Sequence, residues 1–567
     1  MLNRERYILG GRILGGGAKN PRAGSVYRFR RHDKIGANDA QEDRNFLHEC
    51  FVHKNDELKL IQDTLEPECI ILGRTGAGKT ALLSMLKRTE DKVAVLSLDD
   101  LALNHLSNSP ALKYYVDLEI NLDLFFRVLW RHVFAVELVN LFSAVSGTTG
   151  INNLLQKLRD TDYRQPYQKK GREYLLKYPE FWNEPEKRLV QETERVEEDL
   201  TAKASAGLQA KILDVSGELQ YSSKLTQEEK AEITRIGSEL VNQKQMQDLS
   251  AVVRLLRDEL QYDAQKKYFI TIDKLDRKWV EDPLRYKLIR ALIETARDLN
   301  EEIDQLKIIL AIRKDLFERV FEVTRTYGDQ REKYDSLCIK LLWNHKQLID
   351  VVEKRVNQLI YNVFAKRSSI KFKDILPSKI LGQESTKYFL ERTLSTPRDA
   401  IAFFNYCISQ AEGKSKISQS HVNRAERIYS HQRLGALADE WSADFPTLMD
   451  AANVMKGMRK NFLIVDIDRA DLQNKLQSYM AKVEHSNLTG PCYDLAYAIF
   501  AEADNAEESL YELFWVFSKV GILGIQPEDS EHVFWSSKGD EIHKNDIAGK
   551  VKIHIHPGFY TAFSIRS

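Results

Sequence analysis

The chain of 567 residues carries 83 Lys and Arg against 83 Asp and Glu, with 43% hydrophobic and 29% charged residues. That composition fits a soluble globular protein of roughly three to four domains. Zero formal net charge excludes a whole-molecule polyanion footprint, while a basic patch on one domain stays open.

Five scattered cysteines, Cys50, Cys69, Cys338, Cys407 and Cys492, form no C-x-x-C pair. The expectation is reduced thiols in a cytoplasmic protein, with neither a disulfide framework nor a zinc site. No segment approaches about 18 uninterrupted apolar residues, so no membrane span or membrane partner is expected.

Residues 1–35 are rich in Gly and Arg, including Gly10-Gly11 and Gly15-Gly16-Gly17. A dinucleotide fingerprint would need a strand before these glycines and a helix after them; neither pattern is present, and the segment reads as a flexible arm. Asp39 to His53 reads as a helix. Cys69-Ile70-Ile71-Leu72 is an apolar run of strand length, followed by Gly73-Arg74-Thr75-Gly76-Ala77-Gly78-Lys79-Thr80, the pattern G-x-x-x-x-G-K-[ST]. From Ala81 to Lys87 the chain reads as a helix. Each loop position has a physical job. The glycines let successive N–H groups wrap a polyphosphate, Lys79 supplies a mobile cation to it, and Thr80 offers a hydroxyl ligand for Mg²⁺. The helix N-terminus favours negative charge. Gly73 through Ala81 are therefore the candidate ATP-binding residues.

Lys92–Leu98 reads as a second strand and Leu122–Val145 as a long apolar helix. From about 152 to 259 the chain is charged and helix-forming, an insertion that reads as a solvated helical hairpin or a partner-docking arm. Tyr268–Ile272 then ends in Asp273, and Leu306–Ile312 ends in Arg313. Strands alternating with helices predict a parallel α/β sheet, with ligands at the carboxyl ends where Gly73, Asp273 and Arg313 fall.

Asp273 is the expected Mg²⁺ partner of Thr80. Asp276, the next carboxylate, is either the group that orients the attacking water or a helix cap or partner for Arg277. Arg313 either reaches the γ-phosphate or pairs with Asp315. Arg398, after Thr396-Pro397 at a helix start, either reaches back to the nucleotide or makes a surface salt bridge.

Residues 335–433, including Lys340-Leu341-Leu342-Trp343, read as largely helical, as do Leu434–Tyr479. His532–Trp535 and Val551–Ile555 read as a hairpin after helices, the mark of a winged helix. His554 and His556 fit an edge strand better than a metal site. Phe514, Trp515, Phe517, Phe534 and Trp535 are better read as a small core than as a base-stacking platform.

The loop, Phe269–Asp276, Ile312-Arg313, Trp343 and Thr396-Pro397-Arg398-Asp399 together resemble the bacterial AAA+/STAND-type P-loop ATPases. More narrowly, they are similar to origin-recognition-complex-like ATPases and the neighbouring KAP group. Gly36–Asp43 and His554–Phe559 also look like pieces of that group. The resemblance implies an ATPase core over residues 36–335, a helical lid over 336–434 and a winged-helix-like domain within 435–567. It implies sensor roles for Arg313 and Arg398, and nucleotide-dependent homo-oligomers, some acting on effector partners in anti-phage defence, with DNA possible through the C-terminal domain. Lys274 stands where many relatives carry an acid, which leaves the catalytic base open. Which of Arg319, Arg325 or Arg331 acts in trans, if any, is also left open.

Overall fold

The computed structural model describes residues 27–53, 56–98, 122–144, 165–177, 245–261, 265–325 (apart from 278, 281 and 283), 330–365, 368–486, 488–528, 530–547 and 550–565. Among them, five parallel strands lie side by side: β1 Ile70–Gly73, β2 Val93–Leu96, β3 Tyr268–Ile272, β4 Leu306–Arg313 and β5 Cys338–Lys340, in the order β2-β3-β4-β1-β5. The central strands β1, β3 and β4 are largely apolar because both faces of the sheet are covered there. Ile70, Leu72, Ile270, Ile272, Ile308 and Leu310 pack with the helices Asp123–Ala144 and Leu284–Glu302. The alternate residues Ile71, Phe269, Ile309 and Ile339 face Leu82, Met85 and Leu86 of the helix Lys79–Thr89. β5 corrects the helical reading of this stretch. Cys338–Lys340 pairs with β1, and the Leu341 N–H donates to the Leu72 carbonyl at 2.7 Å. A free sheet edge beside β1 outweighs the helix propensity of three residues.

Lys307 breaks the apolar pattern of β4 and is 1% exposed. Its ammonium donates to the carbonyls of Leu60, Asp63 and Glu66 at 2.5–2.8 Å, tying the chain ahead of β1 to the middle of the sheet. Burial holds this amine below the usual lysine range.

Two helices of the expected insertion, Pro166–Lys177 and Gln245–Gln261, pack together, with Tyr167 and Gln168 both donating to Asp258. Residues 178–244 lie outside the described residues, as do 1–26 of the expected arm. Residues 27–35 are not a free arm. Phe29 and Ile35 are buried, and the Phe29 N–H donates to the Lys414 carbonyl at 2.9 Å. Asp39–His53 is a series of turns rather than a helix. Asp43 spends its carboxylate on the Ala37 N–H and on Arg355 (2.9 and 2.6 Å), and such local bonds compete with helical ones.

The lid helices are His345–Phe364, Pro397–Gln410 and Gln419–Glu440, entered through Asn344, Thr396 and Ser418 caps. The expected helical block from Leu434 to Tyr479 is interrupted by the strand Asn461–Leu463. Beyond Glu440 come turns, the strand Asn461–Leu463 and the helices Arg469–Ser486, Pro491–Phe500 and Ala506–Val520, then the strands Leu523–Gln526 and Lys552–Ile555. Lys552–Ile555 is the central strand of its three-stranded sheet, so His554 is not on an edge. Its antiparallel partners are Asn461–Leu463 and Leu523–Gln526, neither of them the expected 532–535. Residues 532–535 contribute one bridge, Ile525 to Phe534, because Asp540 accepts the Trp535 N–H and the chain turns away there. Phe514 and Phe517 lie in the core.

Replacing Lys307 by Met should lower stability by about 2–4 kcal/mol, since three buried carbonyls lose a charged donor; chemical denaturation checks this. Buried His556 accepts from the Gly558 N–H. Burial, with Arg74, Lys538, Arg392 and Arg433 nearby, pushes its pKa down to about 3. Its folded value lies below its unfolded value of about 6.5, so its contribution to stability is present above that pH and is lost as pH falls toward 3. The slope is at most about 1.4 kcal/mol per unit. His556→Gln should flatten this part of a stability–pH profile.

Candidate functional site

β1 ends at Gly73, and the chain turns through residues 74–78 into the helix Lys79–Thr89. The turn rests on Gly76, whose φ of 82° is left-handed and where a Cβ would sit 2.7 Å from the Cβ of Arg398. Only glycine lets the lid residue stand this close. Gly78 precedes the helix with no side-chain cap. Among the described residues the N–H groups of Gly76, Gly78, Lys79 and Thr80 have no backbone acceptor. A helix start with open donors favours negative charge beside it. The Trp343 indole donates to the Ala77 carbonyl at 2.7 Å and fixes the back of the turn.

Parallel pairing brings the other candidates alongside. Gly73 of β1 is the register partner of Arg313 of β4, and Ile272 of β3 is the partner of Leu310. Thr80 Oγ1 donates to Asp273 Oδ2 at 2.6 Å. A hydroxyl and a carboxylate oxygen so placed are the hard donors Mg²⁺ takes, with waters completing its shell; the donor set fits that ion. Lys79 Nζ donates to the carbonyls of Gly73 and Arg74. Desolvation holds this amine below the usual lysine range, against the opposing pull of Asp276 and Asp273.

One cavity of about 240 Å³ is lined by Thr75, Gly76, Gly78, Lys79, Thr80, Ala81, Asp273, Asp276, Arg313 and Arg398. The structure thus brings together the residues singled out for catalysis and for metal. The Asp276 carboxylate lies 3.6 Å from the Arg313 guanidinium, which is also bonded twice to Asp315. Arg398 Nε donates to the Asn38 carbonyl at 3.0 Å. Lys274, in a left-handed conformation, donates to Gln41 Oε1 at 2.7 Å.

Gly73, Arg74 and Ala77 do not line the cavity. Arg74 is the one clear departure from the expected ligand set, because its guanidinium leaves the loop on the other side and donates to the Val520 carbonyl at 2.6 Å. Arg319 and Arg331 pair with Glu322 and Asp335 on their own elements.

Sequence reasoning quoted Gly36–Asp43 only for the resemblance and missed the cavity's outer wall, Ala37, Asn38, Asp39, Ala40, Asp43 and Leu47. The buried Arg355–Asp43 pair at 2.6 Å holds that wall, and Arg355 also donates to the Ile35 carbonyl. A signal was present, because Arg355 falls on the apolar stripe of its helix, between Val352 and Val356. Beside the cavity lies a largely apolar one of about 370 Å³, sharing Leu47, Gly78, Ala81 and Pro397 and walled by Phe51, Val52, Leu341 and Trp343. Among the described residues no cluster of His, Cys, Asp and Glu has metal-binding geometry, and no helix is long and apolar enough to cross a membrane.

Residues 346–438 match the family of FunZ-associated C-terminal helical domains, a span that overlaps the stretch expected to form a lid. Over 545 residues, the chain is 20% identical to a protein named as an 80.3 kDa protein of transposon gamma-delta in Escherichia coli (strain K12), covering 94% of this chain and 67% of that one.

Proposed function

We propose that the protein is an ATP-binding and ATP-hydrolysing P-loop switch of the AAA+/STAND type. The observation that carries this reading is the hydrogen-bonded Thr80–Asp273 pair at an uncapped helix start, with cations from the loop helix, β4 and the lid lining the same cavity. Polyphosphate would lie against the loop N–H groups, Lys79 and Arg398. The neighbouring apolar cavity offers the walls that a planar base would need. Thr80 and Asp273 would hold Mg²⁺, which supplies positive charge to the phosphate oxygens.

In hydrolysis, water attacks the γ-phosphorus, the bond from that phosphorus to the β–γ bridging oxygen breaks, and ADP and inorganic phosphate result. Asp276 is the carboxylate placed to orient the water. The ion pair with Arg313 at 3.6 Å would hold that carboxylate in place, which suits orientation of the water. Arg313 and Arg398 answer the charge spread over the transferring phosphoryl.

ATP-dependent self-assembly and control of an effector partner, as in anti-phage defence, follow from the resemblance. A second reading, DNA binding with nucleotide as a static ligand, is favoured by two observations. The C-terminal domain has a strand, three helices and two further strands, an order close to a winged helix. The E. coli relative is named for a transposon. This reading predicts duplex affinity that falls steeply with salt.

The Lys79→Ala variant should weaken ATP binding by about 100-fold or more, and Asp276→Asn should cut turnover by about 100-fold with binding kept. Calorimetric titration and phosphate release check these outcomes. Wild-type affinity in the Lys79 variant would sink the nucleotide reading. Light scattering with and without ATP tests assembly, and a fixed mass in both would remove it.

A further inference from the structure

We infer that Arg74 and Arg313 form a clasp through which occupancy of the loop cavity controls how firmly the C-terminal domain is held. The two side chains leave adjacent strand ends, because Gly73 and Arg313 are register partners of β1 and β4. Each guanidinium seats on the carboxyl end of a helix outside the sheet domain. Arg74 donates at 2.6 Å to the carbonyl of Val520, the last residue of Ala506–Val520. Arg313 donates at 3.1 Å to the carbonyl of Glu440, the last residue of Gln419–Glu440, and lies over the Trp441 ring. Helix ends of this sense carry unpaired carbonyls and partial negative charge, so both seats attract a cation.

The Arg74 seat is built for its occupant. Gly521 follows Val520 with φ +98°, and a Cβ there would sit 2.8 Å from the Arg74 guanidinium. Ser536 donates to the Ser518 carbonyl at 2.8 Å and accepts from Arg74 at 3.4 Å. Arg313 differs in that it also lines the loop cavity. Its donors are shared among Glu440, Asp315 and, through the longer ion pair, Asp276. A polyanion in the cavity competes for that guanidinium, and donors turned toward the anion are lost to Glu440. One jaw of the clasp then opens, and the hold of the helix end at Val520 on Arg74 weakens with it. Linkage is reciprocal: if filling the cavity loosens the clasp, loosening the clasp tightens binding in the cavity.

This coupling rests on the nucleotide reading; the clasp itself does not. Hydrogen exchange of the full chain without nucleotide should show amides around 516–524 exchanging about tenfold faster or more in Arg74→Ala than in wild type, with those of 284–302 unchanged. Equal exchange at 516–524 overturns the clasp. Mg²⁺ with the slowly hydrolysed analogue ATPγS should speed exchange at 436–444 in wild type. The same analogue should bind Arg74→Ala about fivefold more tightly, whereas an Arg74 that contacted phosphate would give weaker binding. Weaker or unchanged affinity overturns the coupling. Failure of wild type to bind the analogue removes both the nucleotide reading and the coupling, leaving the first comparison to decide the clasp. Should Arg74→Ala not fold, Ser536→Ala, which removes one hydroxyl from the seat, is expected to shift each quantity the same way by a smaller factor, and no shift in either overturns the proposal.

Discussion

Parallel pairing of β1 and β3 with β4 is the constraint on which the site depends. It sets Gly73 beside Arg313 and Ile272 beside Leu310, so the turn after β1, the acid after β3 and the base ending β4 face one space. The first helix after β1 points its N-terminus into that space, and Thr80 reaches Asp273 across it. The three segments are far apart in sequence; 193 residues separate Thr80 from Asp273. The register is held by continuous apolar runs buried on both faces, where a slip of one residue would break both the hydrogen-bond ladder and the packing.

A second constraint acts from outside the sheet. The lid stands on Gly76 through Arg398, and Asp399 next to it pairs with Arg433, which also pairs with Glu440. Glu440 in turn offers its carbonyl to Arg313. A single buried polar chain therefore runs from the lid helix over the loop to the end of β4. Charged groups so deeply buried contribute little net stability, but removing one member strands the others. They fix geometry: Asp399, Arg433 and Glu440 form one connected set of ion pairs between the helix that carries Arg398 and the carbonyl that accepts from Arg313.

Much of this was legible in the sequence. The loop pattern, the acid after β3, the base ending β4 and the Thr-Pro-Arg-Asp helix start are local signals, each tied to a residue type with a specific physical role. What was not legible depended on long-range partners. Cys338–Lys340 is too short to declare itself and becomes a strand only because β1 offers an edge. Asp39–His53 has helix-like periodicity, yet Asp43 is claimed by Arg355, 312 residues away. Arg74 occupies a variable position of the loop pattern, where the pattern says nothing about side-chain direction. Lys307 and Arg355, charges set inside apolar stripes, were the visible hints of buried tethers; each ties a segment ahead of the loop to the body of the fold.

The charges around the cavity bear on the proposal that a chain of zero net charge hosts a polyanion there. Lys79, Arg313 and Arg398 line it with Asp273 and Asp276, and the loop adds uncharged N–H donors. Lys79 rests on two carbonyls of its own loop, neutral acceptors that an anionic oxygen outcompetes. Arg313, by contrast, is held by Asp315 and Asp276, and these carboxylates with Glu440 keep it firmly charged against the cost of desolvation. The two cations therefore differ in how readily they are given up. Under the nucleotide reading, Lys79 would exchange only neutral carbonyls for phosphate, whereas Arg313 would exchange one set of charged partners for another. A residue that exchanges partners, rather than one that merely gains them, can convert occupancy of a cavity into a change elsewhere in the molecule.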